Sequence, residues 1–208
     1  MDAPRNTDEV TLDDAWRTIE NPTEGVRLNF LETAEETRGA RIVMRMVVAP
    51  GGGVAPEAHT QLTESYKVLE GALAFELGGE AITLTPGHAV TAPPGTLHGL
   101  RNDTGSPVTV YVVVTPGTIA ERGLRAYFGL CRDGLVTKAG MPKNPFVGAI
   151  ILDESGTYFP PLPVWLSRMI FAALAAVGRW IGGEKILARY WEAPGSGGRS
   201  DPLHDGQL

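Results

Sequence analysis

Two histidines and two glutamates, spaced among glycines and prolines, carry the strongest chemical content of this chain. One cluster reads Gly87-x5-Pro93-x-Gly95-x2-His98-x3-Asn102. Proline fixes one turn dihedral and glycine admits a positive φ, so a tight turn at Pro93-Pro94-Gly95 delivers His98 onto a new strand. The other cluster lies upstream and reads Gly51-x5-Glu57-x-His59-x4-Glu64-x6-Gly71. Glu57 and His59 are two apart and share one face of a strand. Glu64 follows a short turn at the start of the next strand, and Gly71 lets that strand reverse. Closure of the sheet would bring both clusters to one mouth lined by imidazole and carboxylate, which are metal-ligand groups.

The elements that must position these residues read as short strands. Val26–Leu31 alternates, Arg41–Val48 is longer, and Tyr66–Leu69, Ala72–Leu77, Ala81–Leu84 and Ala89–Ala92 are punctuated by glycines. Val108–Val114 is β-branched and nearly continuous, which places it inside a sheet. Such spacing predicts an all-β fold, a sandwich or barrel. After Pro116 the pattern becomes helical, over Ile119–Cys131, Pro145–Leu152 and Pro163–Ile181, the last ending at Gly182-Gly183. The expected organisation is an arm over 1–25 that can add a strand, a barrel over 26–116, a helical extension over 117–193 and a flexible tail over 194–208.

With 208 residues, 43% of them apolar, the chain can bury a sizeable core. Its net charge of -6 argues against a nucleic-acid partner, which needs a basic surface. A lone cysteine, Cys131, excludes an internal disulfide, and Met1–Glu20 has no apolar run of the kind a leader carries. A cytoplasmic location is therefore the expectation. Leu162–Gly182 is apolar, but Arg168 and Arg179 leave an uncharged run shorter than the roughly 20 residues of a membrane span. That helix is expected to pack on the barrel or on a second subunit, making a homodimer.

The joint pattern resembles the cupin superfamily, in particular small single-barrel bacterial members. The opening ENPTEGVRLNFLETAEETRG, the segment PGGGVAPEAHTQLTESYKVLEG and the proline-bounded helical tail extend the resemblance over nearly the whole chain. It implies a double-stranded β-helix, or jelly-roll barrel, holding one divalent metal ion (Fe, Mn, Zn or Ni) on His59, Glu64 and His98. This chain has Glu57 where the family has a further histidine. Glu57 could complete the ligand shell, act as a catalytic general base beside the metal, or remain as a surface glutamate of a decayed site. A second register, on Gly53 and His59-Thr60-Gln61, leaves two residues before Glu64, too few for the turn. Tyr66, in phase with Glu64, is a candidate for the substrate pocket with Met44, Met46, Phe75 and Tyr111. His88 and His204 read as solvated and Cys131 as a buried apolar residue. The function implied is a dioxygenase-type oxidoreductase acting on a small organic molecule. An isomerase, epimerase or cyclase that uses no O2, and a non-catalytic binding barrel, remain as alternatives.

Overall fold

The computed structural model describes residues 16–159 and 161–191. Ten strands come first: β1 (Thr18–Asn21), β2 (Val26–Glu32), β3 (Ile42–Val48), β4 (Gly53–His59), β5 (Thr63–Glu70), β6 (Leu73–Leu77), β7 (Glu80–Leu84), β8 (Ala89–Ala92), β9 (His98–Arg101) and β10 (Val108–Thr115). Then follow α1 (Gly117–Arg132), α2 (Pro145–Ser155), a two-residue strand β11 (Thr157–Tyr158), α3 (Val164–Trp180) and α4 (Gly183–Trp191). The strands form two antiparallel sheets, in the orders β1-β2-β3-β10-β5-β8 and β11-β4-β9-β6-β7. One buried face of each packs on the other. Leu28, Phe30, Met44, Val68, Leu73, Val110 and Val112 fill the space between them.

Alternation in the sequence becomes alternation in burial. Val108, Val110, Val112 and Val114 point inward from β10, which lies centrally between β3 and β5 as its apolar run predicts. Gly95 has φ 85°, the left-handed turn expected ahead of His98. Gly53 is needed for a different reason: a Cβ there would sit 2.2 Å from the Leu100 carbonyl oxygen, so only glycine lets β4 approach β9. Asn102 is fully buried and closes the turn after β9. Its Nδ2 donates to the carbonyls of Val48 and Ser106, each at 2.9 Å, and its Oδ1 accepts from the Thr104 backbone N–H and hydroxyl.

All-β describes the chain only as far as β10. A second core, built on Leu130, Val147, Ile150, Ala175 and Leu187, joins the four helices. Asn144 caps α2 by accepting from the Phe146 and Val147 N–H groups, and Gly156 (φ 65°) ends it. The chain then returns to the barrel, because β11 pairs with the end of β4, Thr157 opposite His59. The helix read over Pro163–Ile181 is α3, which ends ahead of Gly182-Gly183 as expected, and the chain turns by 90° there into a further helix, α4. Cys131 is free and buried, as expected. His204 and the 194–208 tail lie outside the described residues. Among the described residues, no single helix is long and apolar enough to cross a membrane.

Replacing Asn102 by alanine removes two buried N–H donors and an acceptor that tie Val48 to the Thr104–Ser106 turn. The expected cost is about 2–4 kcal/mol, read as a lower midpoint in urea unfolding.

Candidate metal centre

Each candidate residue is placed by its strand. Glu57 and His59 lie on β4, His98 opens β9 opposite Glu57, and Glu64 sits near the start of β5 in the other sheet. The cluster therefore bridges both sheets at one end of the barrel. His59 Nε2 lies 3.6 Å from Glu57 Oε1 and 3.5 Å from Glu64 Oε1, and His98 Nε2 lies 3.1 Å from Glu64 Oε2. The two rings are 5.4 Å apart, and ligand atoms of Glu57, His59 and His98 all fall within 4.8 Å of one another. The structure thus brings together all four residues singled out by spacing.

Hydrogen bonds fix the orientation of both imidazoles. Ser155 Oγ donates to the Ile151 carbonyl at 2.9 Å, lies 2.5 Å from Thr157 Oγ1, and that hydroxyl lies 2.9 Å from His59 Nδ1. A carbonyl only accepts, so every proton in the chain points toward it: Thr157 donates to Ser155, and His59 Nδ1 carries the proton given to Thr157. The Nε2 lone pair then faces the cluster, where this buried atom has no hydrogen-bond partner among the described residues. His98 Nδ1 likewise donates to the Thr96 carbonyl at 2.9 Å, which turns its Nε2 toward Glu64.

The two acids differ. Burial opposes ionisation of Glu64, but the hydrogen bond with His98, the neighbouring His59 and the Tyr66 hydroxyl together hold its pKa below the usual carboxylate range. Glu57 lacks those donors: burial, then the charge of Glu64, pushes it up to about 8. Burial lowers His59, whereas for His98 the hydrogen bond and charge of Glu64 overcome burial and raise it. The Glu57 side chain is also the more open, 24% exposed against 12% for Glu64.

A cavity of about 200 Å³ adjoins the cluster, with a largely apolar wall. Glu57, His59, Glu64, Tyr66, Met44 and Met46 line it, as the sequence pattern anticipated. Two candidates do not. Tyr111 lies on the outer face of β10, between Arg45 and Lys67 of the adjoining strands, because strand periodicity puts it opposite Val110 and Val112. Phe75 is buried behind Tyr66, edge-on at 5.1 Å, and packs instead of lining the cavity. His88 is exposed and faces Thr85, away from the cluster. Ser155 and Thr157 were not anticipated; they stand nearly a hundred residues from His59 and match no motif.

Residues 44–114 match a family model described as "Cupin domain". Two curated fungal proteins, each named "Probable oxidoreductase patJ", are similar over 141 residues, 63% of this chain. The protein from Aspergillus clavatus is 26% identical with 43% of its length covered, and that from Penicillium expansum 25% with 42%. The chain thus spans less than half the length of these relatives. Among solved structures, KdgF from a Halomonas species is 21% identical with a TM-score of 0.41, over 47% of this chain and 84% of that one. A sugar phosphate isomerase from Silicibacter pomeroyi is 25% identical with a TM-score of 0.40, over 45% and 60%.

Thr157→Val keeps the shape of the site and removes the hydroxyl that orients His59. Metal affinity, measured by titration with zinc against a chelator, is expected to fall about 10–100-fold with little change in melting temperature.

Proposed function

We propose that the barrel mouth holds one divalent metal ion and that the chain is a metal-dependent oxidoreductase acting on a small organic molecule, a reading supported by the match of residues 44–114 to the cupin-domain model. The observation carrying this reading is the His59 Nε2 lone pair, buried without a partner and turned toward two carboxylates and a second imidazole. Such an atom costs free energy unless something binds it, and a cation also offsets the two acids placed together. His59, His98 and Glu64 are the donors, a set with two nitrogens and one oxygen that suits Fe, Mn, Zn or Ni. A metal ion there would supply Lewis acidity and, if redox-active, electron transfer with O2. The relatives named as oxidoreductases support that class.

Glu57 is assigned the catalytic role. Its carboxyl is the more open of the two acids and lines the cavity, within reach of a bound ligand's exchangeable proton. Tyr66 donates to Glu64 and keeps that carboxylate from turning away. The apolar wall excludes water from a bound ligand. The same Glu57 chemistry favours a second reading, proton transfer next to a metal-polarised carbonyl, which consumes no oxygen.

A second copy of this chain is the partner we propose for α3. Trp165, Met169, Ala172, Ala173, Ala176 and Trp180 occupy one exposed face of that helix, and Trp180 is 87% exposed. Their numbers pair about a midpoint between Ala172 and Ala173. A two-fold axis there sets each Trp165 against the partner's Trp180 and each bulky Met169 against a small Ala176. Trp165 and Met169 are each 64% exposed, so this face offers bulky apolar side chains that a partner would cover.

Protein purified without chelators is expected to carry about one metal ion per chain, and His59→Ala or His98→Ala to lose it; metal-free wild-type protein would sink the reading. Oxygen uptake with phenolic or enediol compounds separates oxidoreductase from isomerase. Trp180→Glu is expected to convert a dimer to a monomer in light scattering, and a monomeric wild-type protein would exclude the α3 interface.

A further inference from the structure

The cavity has a second polar end that the metal centre does not use. Glu24 follows β1 and its backbone carbonyl accepts from the Gly53 N–H, at the start of β4. Glu57 and His59 lie on the same strand, and the charge of Glu24 is felt at Glu57 across the cavity. Tyr127 reaches Glu24 from α1. Its hydroxyl lies 2.9 Å from Glu24 Oε1 and 3.0 Å from the Gly140 carbonyl, while Asn21 Nδ2 donates to Glu24 Oε2 at 2.8 Å. One phenolic proton cannot serve two acceptors fully. Tyr127 donates to one acceptor at a time, which leaves the other open to a ligand hydroxyl. Burial raises the Glu24 pKa.

The position of this pair says what it can do. Glu24 and Tyr127 line the inner cavity together with Glu57, His59 and Glu64. Glu24, Val54, Ala55 and Gly140 also line the open groove outside it, so the pair stands where cavity meets groove. Between the polar ends the wall is apolar, supplied by the barrel at Leu28 and Val112 and by the helices at Leu124, Phe128 and Ile151. The volume sets the size: an apolar cavity of about 150 Å³ accepts benzene, so one of about 200 Å³ takes a substituted single ring.

We propose that Glu24 and Tyr127 form a second ligand anchor, gripping a hydroxyl or carbonyl oxygen on a ring-sized apolar molecule whose other oxygen-bearing end meets the metal centre. This deepens the reading of the barrel mouth as a metal site and rests on it for the second contact. An apolar ring bearing oxygens at two separated positions is the substrate class that follows. A chain-like sugar phosphate, polar along its length, does not fit the apolar middle.

The test uses calorimetric titration of the zinc-loaded full chain with benzoate, 3-hydroxybenzoate and 4-hydroxybenzoate. At least one hydroxylated isomer is expected to bind about tenfold more tightly than benzoate. Tyr127→Phe and Glu24→Gln, both near-isosteric, should erase that advantage while leaving benzoate affinity unchanged. Equal affinity of all three probes for the wild type, an advantage that survives both substitutions, or binding of no probe would each overturn the proposal. Failure of the metal reading shows separately, as zinc lost on dialysis. The hydroxyl advantage is then measured on the metal-free protein, where the same outcomes decide it.

Discussion

Two carboxylates and two imidazoles are withdrawn from water at one end of the barrel, where its two sheets meet. Desolvation penalises each charged form, raising Glu57 and lowering His59. The arrangement persists because the charges answer one another and the outer nitrogens are tied to acceptors that cannot rotate away. His59 is held by a hydroxyl relay ending on the Ile151 carbonyl, and His98 by the Thr96 carbonyl. Much of the barrel's detail serves that geometry. The Gly95 turn starts β9 on His98, Gly53 lets β4 lie against β9, and the Glu57–His98 register faces both side chains into the mouth.

The same constraint divides the acids into two kinds. Glu64 receives the Tyr66 hydroxyl and His98, and stays ionised below the usual range. Glu57 is raised by burial and by the Glu64 charge, which together outweigh the opposing pull of His98, and rises to about 8. Neighbouring carboxyls whose surroundings drive their pKa values apart can take different chemical roles. A glutamate at position 57 puts the second of these carboxyls against the cavity.

Most of the barrel was legible because its signals are local. Glycines and prolines at fixed offsets mark the turns, and period-two alternation marks the faces, so the four clustered residues could be named from spacing alone. What failed was non-local or hung on one residue's phase. Tyr111 sits in a run of valines where apolar character hides which face is inward, and it points out. Phe75 does face inward, but Tyr66 stands between it and the site. Thr157, Ser155 and Tyr127 lie in the extension, where no motif sets their distance from His59 or Glu24. Their contacts arise from how α1 and α2 dock, which the packing of the second core decides. Gly182-Gly183 does end α3 as its pattern reads, but the short α4 beyond it, held by Leu187 in the second core, went unread.

The helical extension is consequently two structures with different obligations. α1, α2 and β11 belong to the site: β11 extends the sheet beside β4 and carries Thr157, and α1 brings Tyr127 and part of the cavity roof. Changes in their packing propagate to His59 through a three-link hydrogen-bond relay with no slack. α3 contributes no described residue to the cavity, and its inner edge of Ser167, Ala175 and Gly178 meets the other helices. Its small residues let backbones approach closely; a Cβ on Gly178 would lie 2.8 Å from the Phe146 carbonyl oxygen. The outer face is thereby free to be apolar without disturbing the chemistry. The proposed association through α3 and the proposed ligand contacts of α1 and α2 lie on separate faces, although one small core joins them.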